Sequence, residues 1–306
     1  MAVVGVMYNL KGAPPEEGEP PDLGAELDSE STVAAVALAL RAHGHEVLLI
    51  EGNDTAYLKL LSNRLDIVFN MCEGLRGESR ESHIPSMLEM LGIPYTGSGV
   101  LTLALTLDKP LTKTVLAYHG IPTPGFRVFS SAEEIDVQGL EFPLFVKPAH
   151  EGSSMGITSS SVCKDMDRLV GEVRRLTALY RQPVLVEEFL PGREFTVGIL
   201  GNKNPVIFPI MEINFDAIPE GCARVYSRQF KTDWSDDIYY KCPAPLEPEL
   251  EALIKDTALK TYRALDCRDL ARVDLRLDRR GVPNVMEVNP LPGLAPGYSD
   301  YPRLAE

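Results

Sequence analysis

LARVDLRLDRRGVPNVMEVNPLPG, at residues 270–293, contains two apolar-rich runs separated by a turn centred on Arg280-Gly281. The composition of these runs predicts an antiparallel pair of strands, at 270–278 and 283–289. Residues two apart on a strand project from the same face. The polar side chains that would then share one face are Arg272, Asp274, Glu287 and Asn289.

This polar face combines two carboxylates, an amide and a guanidinium, which are costly to bury without partners. In the predicted register, Asp274 lies opposite Glu287 and Arg272 lies opposite Asn289. Oxygen donors of this kind suit Mg²⁺ bound together with phosphates. A solvated face with ordinary ion pairs is the alternative. Apolar neighbours favour a packed opposite side, and therefore a polar side that lines a cleft: Leu270, Val273, Leu275 and Val288.

Two loops that follow predicted strands offer backbone groups to a ligand. The Pro/Gly-rich loop at 290–297 lets a substrate approach closely, and the N–H of Gly293 can stabilise an oxyanion. The segment KPAHEGSSMG, at 147–156, presents Lys147 at a strand end, followed by small residues whose N–H groups can hold a phosphate. It is not a Walker A loop, which needs G-x-x-x-x-G-K-[ST]. A plain loop and a simple hairpin turn are the alternatives.

A third segment, VLVEEFLPGRE at 184–194, places two acids directly after an apolar strand. A nucleotide base can be recognised by backbone edges and a carboxylate, and Glu187 with the Leu190 backbone can supply both. The alternative is an exposed hairpin whose glutamates only aid solubility.

The first third of the chain alternates strands with helices, which indicates a parallel sheet covered by helices. A helix capped by Asp28 or Ser29 and a second helix at 84–91 fit this pattern. The stretch at 11–24 is polar and rich in Pro and Gly, and we predict a mobile loop there. The predicted strands are 3–7, 47–50 and 67–69.

Beyond the break at 120–124, the strands come in pairs. Helices are predicted at 109–118, before this break, and at 248–265, before the last hairpin. The polar segment at 214–241 is predicted to close over a ligand. The paired strands are predicted at 126–129, 144–147, 184–188, 194–200 and 206–213.

Composition excludes several classes of function. The 306 residues include 44 acidic and 30 basic side chains, for a net charge of −14, which argues against non-specific nucleic-acid binding. No apolar run approaches the ~20 residues that span a bilayer, and no signal peptide is evident. Five widely spaced cysteines without a C-x-x-C pair suggest neither a zinc site nor a disulfide framework. We therefore expect a cytoplasmic protein.

Together these segments resemble the ATP-grasp superfamily, and within it the D-alanine–D-alanine ligase family. The resemblance covers residues 65–300. It rests on segments that stand in the family's order: GIPYTGSG at 92–99, Asp108-Lys109, Lys147-Pro148, EGSS at 151–154, 187–194, Arg272-Val273-Asp274, Glu287-Val288-Asn289 and Pro292-Gly293.

The resemblance implies a chain that is α/β and α+β. An N-terminal parallel-sheet pre-ATP-grasp domain would be followed by a two-subdomain ATP-grasp fold that holds ATP between antiparallel sheets. We place the N-terminal domain at 1–98, the central subdomain at 99–186, and the C-terminal subdomain, with the metal and substrate site, at 187–306.

The resemblance also implies roles for individual residues. Glu187 and Leu190 would hold the adenine and Glu194 the ribose, while Lys231 is the candidate lysine of the closing loop. The residues assigned to ATP are Lys109, Lys147, Glu151, Ser154, Glu187, Leu190, Glu194 and Lys231. Those assigned to two Mg²⁺ ions, with Mn²⁺ as an alternative, are Asp274, Glu287 and Asn289. Those assigned to catalysis are Arg272, Ser153 and Gly293, and those assigned to the substrate are Ser299 and Asp300.

The implied activity is ATP-dependent ligation of a carboxylate to an amine through an acyl phosphate, with D-alanine for both substrates and a place in peptidoglycan synthesis. Joining other amino acids or small acids in a specialised pathway is one alternative. A non-catalytic nucleotide-binding module is another, which the complete set of Lys, Glu, Asp and Asn residues disfavours. Family members are commonly homodimers, so a homodimer is expected from the resemblance alone.

The sequence departs from the family pattern in places that bear on the substrate. The family's Gly-Gly-x-Ser loop and amino-group acid are replaced by a polar insertion, in which Glu26, Asp28 or Glu30 is the candidate acid. Thr232 stands where an aromatic residue usually follows the closing-loop lysine. Ser299-Asp300 replaces a Ser-Leu pair, and the added charge is expected to disfavour a substrate carboxylate. The family also usually carries a further helix, so we expect the sequence to be truncated after Glu306.

Overall fold

The computed structural model describes residues 1–218, 224–227, 230 and 237–306. Its N-terminal unit is a parallel three-stranded sheet in the order β2-β1-β3. Helix α1 begins where the Ser29 hydroxyl accepts the Thr32 N–H, and α3 ends at Gly92, whose φ of 66° suits glycine. The elements are β1 (Val3–Tyr8), α1 (Glu30–Ala42), β2 (Glu46–Glu51), α2 (Ala56–Ser62), β3 (Ile67–Asn70) and α3 (His83–Leu91).

The central unit is an antiparallel four-stranded sheet in the order β4-β7-β5-β6, with α6 packed on it. Asp108 caps α5 by accepting the Leu111 N–H, which places Lys109 in the first turn of that helix. The elements are α4 (Val100–Leu107), α5 (Lys109–Tyr118), β4 (Phe126–Phe129), β5 (Leu144–Pro148), β6 (Val162–Cys163), α6 (Met166–Tyr180) and β7 (Val184–Glu188).

The C-terminal unit is an antiparallel sheet in the order β11-β10-β8-β12-β13, with β9 paired to β8. Helix α7 packs Ile254, Ala258 and Tyr262 against the apolar side of β8, β12 and β13. The elements are β8 (Glu194–Leu200), β9 (Val206–Ile207), β10 (Met211–Ile213), β11 (Tyr240–Lys241), α7 (Pro248–Ala264), β12 (Leu270–Leu277), β13 (Pro283–Asn289) and α8 (Asp300–Ala305).

The register of the last hairpin confirms the prediction made from its turn. Asp274 pairs with Glu287 and Arg272 pairs with Asn289. A bulge directly after Asp274 shifts the register, so Leu275 pairs with Val285. The four polar residues therefore share one face, while the opposite face is buried under α7.

Some predicted elements were wrong or incomplete. The single strand predicted at 206–213 is two short strands, β9 and β10, and helices α2, α4 and α6 were not predicted. The loop predicted at 11–24 to be mobile is anchored to the central unit, because buried Asp22 accepts hydrogen bonds from the Gly156 N–H and the Tyr180 hydroxyl. Part of 214–241, including Lys231, lies outside the described residues.

The three domain ranges remain a prediction, and the proposed boundary between 186 and 187 falls within β7. Among the described residues, no helix combines the length and apolar character needed to cross a membrane.

Candidate active site

Two adjoining cavities open next to the polar face of the last hairpin. The first has an empty volume of about 690 Å³, part of it open to solvent, and is bordered by β5 and β7 of the central sheet and by β8, β12 and β13 of the C-terminal sheet. The second has an empty volume of about 610 Å³, also partly open to solvent, and extends to the N-terminal unit. The residues that line both cavities, and so mark where they meet, are Ser153, Arg272 and Glu287.

A buried cluster of three charges, the Glu187 triad, forms part of the first cavity. Glu187 on β7 pairs with Lys113 Nζ at 2.7 Å and with Lys147 Nζ at 2.8 Å, and all three side chains are at most 4% exposed. Burial opposes ionisation of Glu187, but the two lysines outweigh it and lower its pKa. Burial also lowers the pKa of Lys113 to about 8, although Glu187 opposes that change. The residues predicted to hold adenine and phosphate are thus in direct contact.

A second buried pair borders the same cavity. Arg276 Nη1 lies 3.0 Å from the Glu194 carboxylate, and both side chains are almost completely buried. The guanidinium also lies over the rings of Phe189 and Phe215, 4.7 and 5.1 Å from their centroids. Leu190 lines this cavity as well. The acid predicted to hold a ribose is therefore oriented by an arginine that the sequence analysis did not single out.

Asp274 is held from three directions on the polar face of the hairpin. Arg272 Nη2 lies 2.9 Å from its carboxylate. The Thr196 hydroxyl donates to it at 2.8 Å, and the Asn289 side-chain amide donates at 3.1 Å. Because Asn289 donates through its nitrogen, its amide oxygen is left to accept a ligand or coordinate a cation.

Glu287 lies beside Asp274, where the two cavities meet. Its carboxylate pairs with Lys109 Nζ at 2.9 Å. Burial opposes its ionisation, but Lys109 and Lys147 outweigh this and lower the pKa of Glu287 to about 2. The carboxylate is therefore ionised at neutral pH, as a metal ligand must be.

The loop after β5 bends sharply at the border of both cavities. Ser153 and Ser154 have φ values of 46° and 59°, a region that non-glycine residues rarely adopt and that is concentrated at functional sites. The Lys109 ammonium donates to the Glu151 carbonyl, which ties α5 to this loop. The Glu151 side chain pairs with Arg80 at 3.1 Å and lines neither cavity, unlike Ser153 and Ser154.

Of the three N-terminal acids considered, the structure brings one to the second cavity. Glu26 lines that cavity, pairs with Arg80 at 2.7 Å and accepts the Gly152 N–H. Asp28 lines neither cavity, and Glu30 is exposed in the first turn of α1. The polar insertion thus delivers Glu26 to the site.

The C-terminal loop brings Gly293 into the second cavity. A Cβ atom on Gly293 would lie 2.8 Å from Ser299 Oγ, so glycine allows this close approach. Asp300 is 4% exposed, lies 3.6 Å from Arg272 Nη1 and accepts a 2.8 Å hydrogen bond from the Tyr226 hydroxyl. The charge that the sequence analysis noted at Asp300 is therefore balanced within the protein.

Known proteins share both the sequence and the architecture of this chain. A family model described as D-ala D-ala ligase C-terminus matches residues 115–306. A D-alanine--D-alanine ligase of Bordetella avium is 35% identical over 296 residues, which are 95% of this chain and 85% of that protein. A Sinorhizobium fredii protein named uncharacterized protein y4sG is 37% identical over 302 residues, 96% of this chain and 86% of its own.

The fold agrees with these matches. The crystal structure of D-alanine--D-alanine ligase from Bacillus anthracis complexed with ATP matches with a TM-score of 0.75 and 26% identity, covering all of this chain and 91% of that one.

The chain belongs to the D-alanine–D-alanine ligase family.

Ligases of this family use ATP and Mg²⁺ to form carbon–nitrogen bonds, and the donor set of this member fits both. Asp274, Glu287 and Asn289 offer hard oxygen donors on one face, which suits Mg²⁺. Lys109 and Lys147 lie close enough to Glu287 to lower its pKa. Two cationic groups that can bind phosphates therefore lie beside the residues that can hold the metal.

Three site residues of this ligase were missed from the sequence. Arg276 follows the same alternation along β12 as Arg272 and Asp274, so that period-two pattern contained its signal. Lys113 and Arg80 carried no such signal, because each meets its acid only through packing between elements that are far apart in the chain.

Proposed function

We propose that this ligase joins two amino acids through an acyl phosphate, with D-alanine as the first candidate for both substrates. The observation that supports the proposal is the pair of cavities that meet at Ser153, Arg272 and Glu287. ATP in the first cavity would direct its γ-phosphate toward this meeting point, and a substrate carboxylate in the second cavity would face it. The family's role in peptidoglycan synthesis agrees with this pair of substrates.

In this proposal, the nucleotide occupies the first cavity. The Glu187 triad and the Leu190 backbone would bind the adenine, and Glu194, oriented by Arg276, would bind the ribose. The sharply bent loop with Ser153 and Ser154 would cover the phosphates, and Lys231 would contact them. Lys109 and Lys147 would offset phosphate charge.

Two Mg²⁺ ions, held by Asp274, Glu287 and Asn289, would neutralise phosphate oxygens when bound. Arg272 borders both cavities, so it can follow the charge that passes from the transferred phosphoryl group to the acyl oxyanion. The Gly293 N–H would donate to that oxyanion, and Glu26 would hold the amino group of the first substrate. Positioning and electrostatics would supply most of the rate enhancement.

The finer assignments of assembly and location are also proposals. Related ligases are typically dimers, and we propose a homodimer. We propose a cytoplasmic location from the family's use of ATP and from the free cysteines Cys72, Cys163, Cys242 and Cys267.

The test is phosphate release from ATP and Mg²⁺ across single and paired D- and L-amino acids, with the products identified by mass spectrometry. D-alanyl-D-alanine formation is the expected result. Turnover only with another pair of amino acids would change the substrate assignment and leave the proposed mechanism unchanged. No ATP consumption with any pair, by a folded sample, would contradict the proposed amino-acid ligation.

A further inference from the structure

The second cavity has an acidic wall, formed by Glu26, Glu73 and Glu81. Glu26 is balanced by Arg80, at 2.7 Å. The carboxylates of Glu73 and Glu81 form no ion pair or hydrogen bond within the part of the chain that the structure describes, although Glu81 is only 8% exposed. Two of the three acids therefore face the cavity without a partner.

Without a ligand, these two acids destabilise the folded protein. Burial, with Glu26 nearby, raises the pKa of Glu81 to about 8, and burial with Glu81 raises the pKa of Glu73 well above its usual value. The nearby cations are already paired, Lys109 with Glu287 and Arg80 with Glu26. Glu81 is buried and Glu73 is half-buried, and a buried acid without a partner costs stability and is typical of a binding site rather than of a packed core.

The charge and shape of the cavity indicate what kind of ligand would balance these acids. Four carboxylates line it, Glu287 included, against two cationic residues, Lys109 and Arg272. Over the described ranges, no three acidic, histidine or cysteine side chains are arranged to hold a metal ion. Acids spread along a wall suit an organic cation, and its methylene groups would lie against the apolar lining: Leu107, Val288 and Leu291.

We propose that one of the two joined molecules is a diamino acid, whose side-chain ammonium group binds between Glu73 and Glu81. This inference rests on the proposed ligase function, in which Glu26 already accounts for the α-amino group. For that one molecule it replaces D-alanine with amino acids that carry a second amine, such as diaminopropionate, diaminobutyrate, ornithine or lysine, and it leaves D-alanine as the first candidate for the other molecule.

The test compares three of these diamino acids with neutral amino acids of matched length: aminobutyrate for diaminopropionate, norvaline for diaminobutyrate and norleucine for ornithine. Wild-type enzyme should show a KM for the diamino acid about tenfold or more below that for its neutral match. Glu81→Gln and Glu73→Gln should each remove this preference, by raising the KM for the diamino acid to that of its neutral match. Exposed Glu78 lies in the same segment, so Glu78→Gln is the matched control and should keep the preference.

Two outcomes would overturn this inference. One is a wild-type enzyme that turns over neutral amino acids as well as, or better than, their diamino matches; the ligase function would then stand. The other outcome concerns the case in which no amino acid is turned over, a result that would itself contradict the ligase function. Calorimetric titration with ornithine then tests the ammonium site on its own. Binding of ornithine to wild-type protein that is abolished by Glu81→Gln supports the site, and no binding of ornithine to wild-type protein overturns it.

Discussion

Replacing Glu187 with glutamine tests whether the Glu187 triad stabilises the fold as its geometry indicates. The acid lies 2.7 Å from Lys113 and 2.8 Å from Lys147, and none of the three side chains is more than 4% exposed. Glutamine keeps the size of the side chain and removes the charge. Two buried ammonium groups would then face each other without the acid between them.

The expected loss is about 3–5 kcal/mol, the usual result of removing one member of a buried ion pair. At about 2–4 °C for each kcal/mol, this predicts a fall in Tm of roughly 6–20 °C. Lys113→Met should cost much less, because it leaves the neutral Glu187–Lys147 pair intact. The double variant Glu187→Gln/Lys113→Met should recover part of the loss, because it removes the facing positive charge.

Calorimetric melting of the nucleotide-free protein at pH 7 and pH 9 measures these differences. The pKa of Lys113 is already lowered to about 8, and removing Glu187 lowers it further. Lys113 in the variant should therefore be neutral at pH 9, and the loss should be smaller there than at pH 7. The control is Glu133→Gln, at a glutamate that is 74% exposed, which should change Tm very little.

A fall in Tm below about 3 °C for Glu187→Gln would refute this reasoning, since it would mean that the lysines do not depend on the acid. A larger loss for Lys113→Met than for Glu187→Gln would refute it as well, because the order of the two variants follows directly from the charge balance.

Three further variants test other parts of the site. Asp274→Asn should lower kcat about 100-fold or more through loss of a carboxylate on the metal face, with ATP affinity measured separately by calorimetry; unchanged kcat would exclude the metal-binding role. Asp300→Asn removes the acid that lies 3.6 Å from Arg272 and partly balances its charge, so the guanidinium should attract a substrate carboxylate more strongly and lower its KM roughly fivefold without changing KM for ATP, as initial rates will show; a higher KM would contradict this. Because the pKa of Glu81 is raised to about 8 in the fold, wild-type stability should fall as pH rises from about 4.5 to 8, so the Tm of Glu81→Gln should increasingly exceed that of wild type over this range, whereas Glu78→Gln should follow wild type.

The last hairpin could be predicted because its information is local. A turn at Arg280-Gly281 and the period of two along each strand determine which side chains face each other, and the observed pairing of Asp274 with Glu287 follows from them. The same period extends to Arg276, so its place on the polar face was also contained in the pattern. The bulge after Asp274 was not, because it depends on how the two strands twist against the rest of the sheet.

Contacts between segments far apart in the chain could not be predicted in this way. Lys113 reaches Glu187 from a helix that lies 74 residues earlier, and no periodicity links the two positions. Glu26 reaches the second cavity because Asp22, in the same insertion, is anchored to Gly156 and Tyr180 of the central unit. A polar, Pro/Gly-rich composition predicts a loop correctly but says nothing about the surface on which that loop is held.

The two acids of the proposed ammonium site differ from the other acids around them in how their charge is balanced. Glu187, Glu287 and Asp274 each lie within 3 Å of a cationic side chain, so their negative charge is balanced before any substrate arrives. Such balance keeps nucleotide-binding and metal-binding groups in place without a ligand, which lowers the cost of binding. Glu73 and Glu81 lack this balance among the described residues, although Arg80 lies close enough to affect both. Because burial raises the pKa of both acids, an ammonium group that favours their ionised form gains an interaction that a neutral side chain cannot make, which is why a second amine is the feature to look for in the substrate.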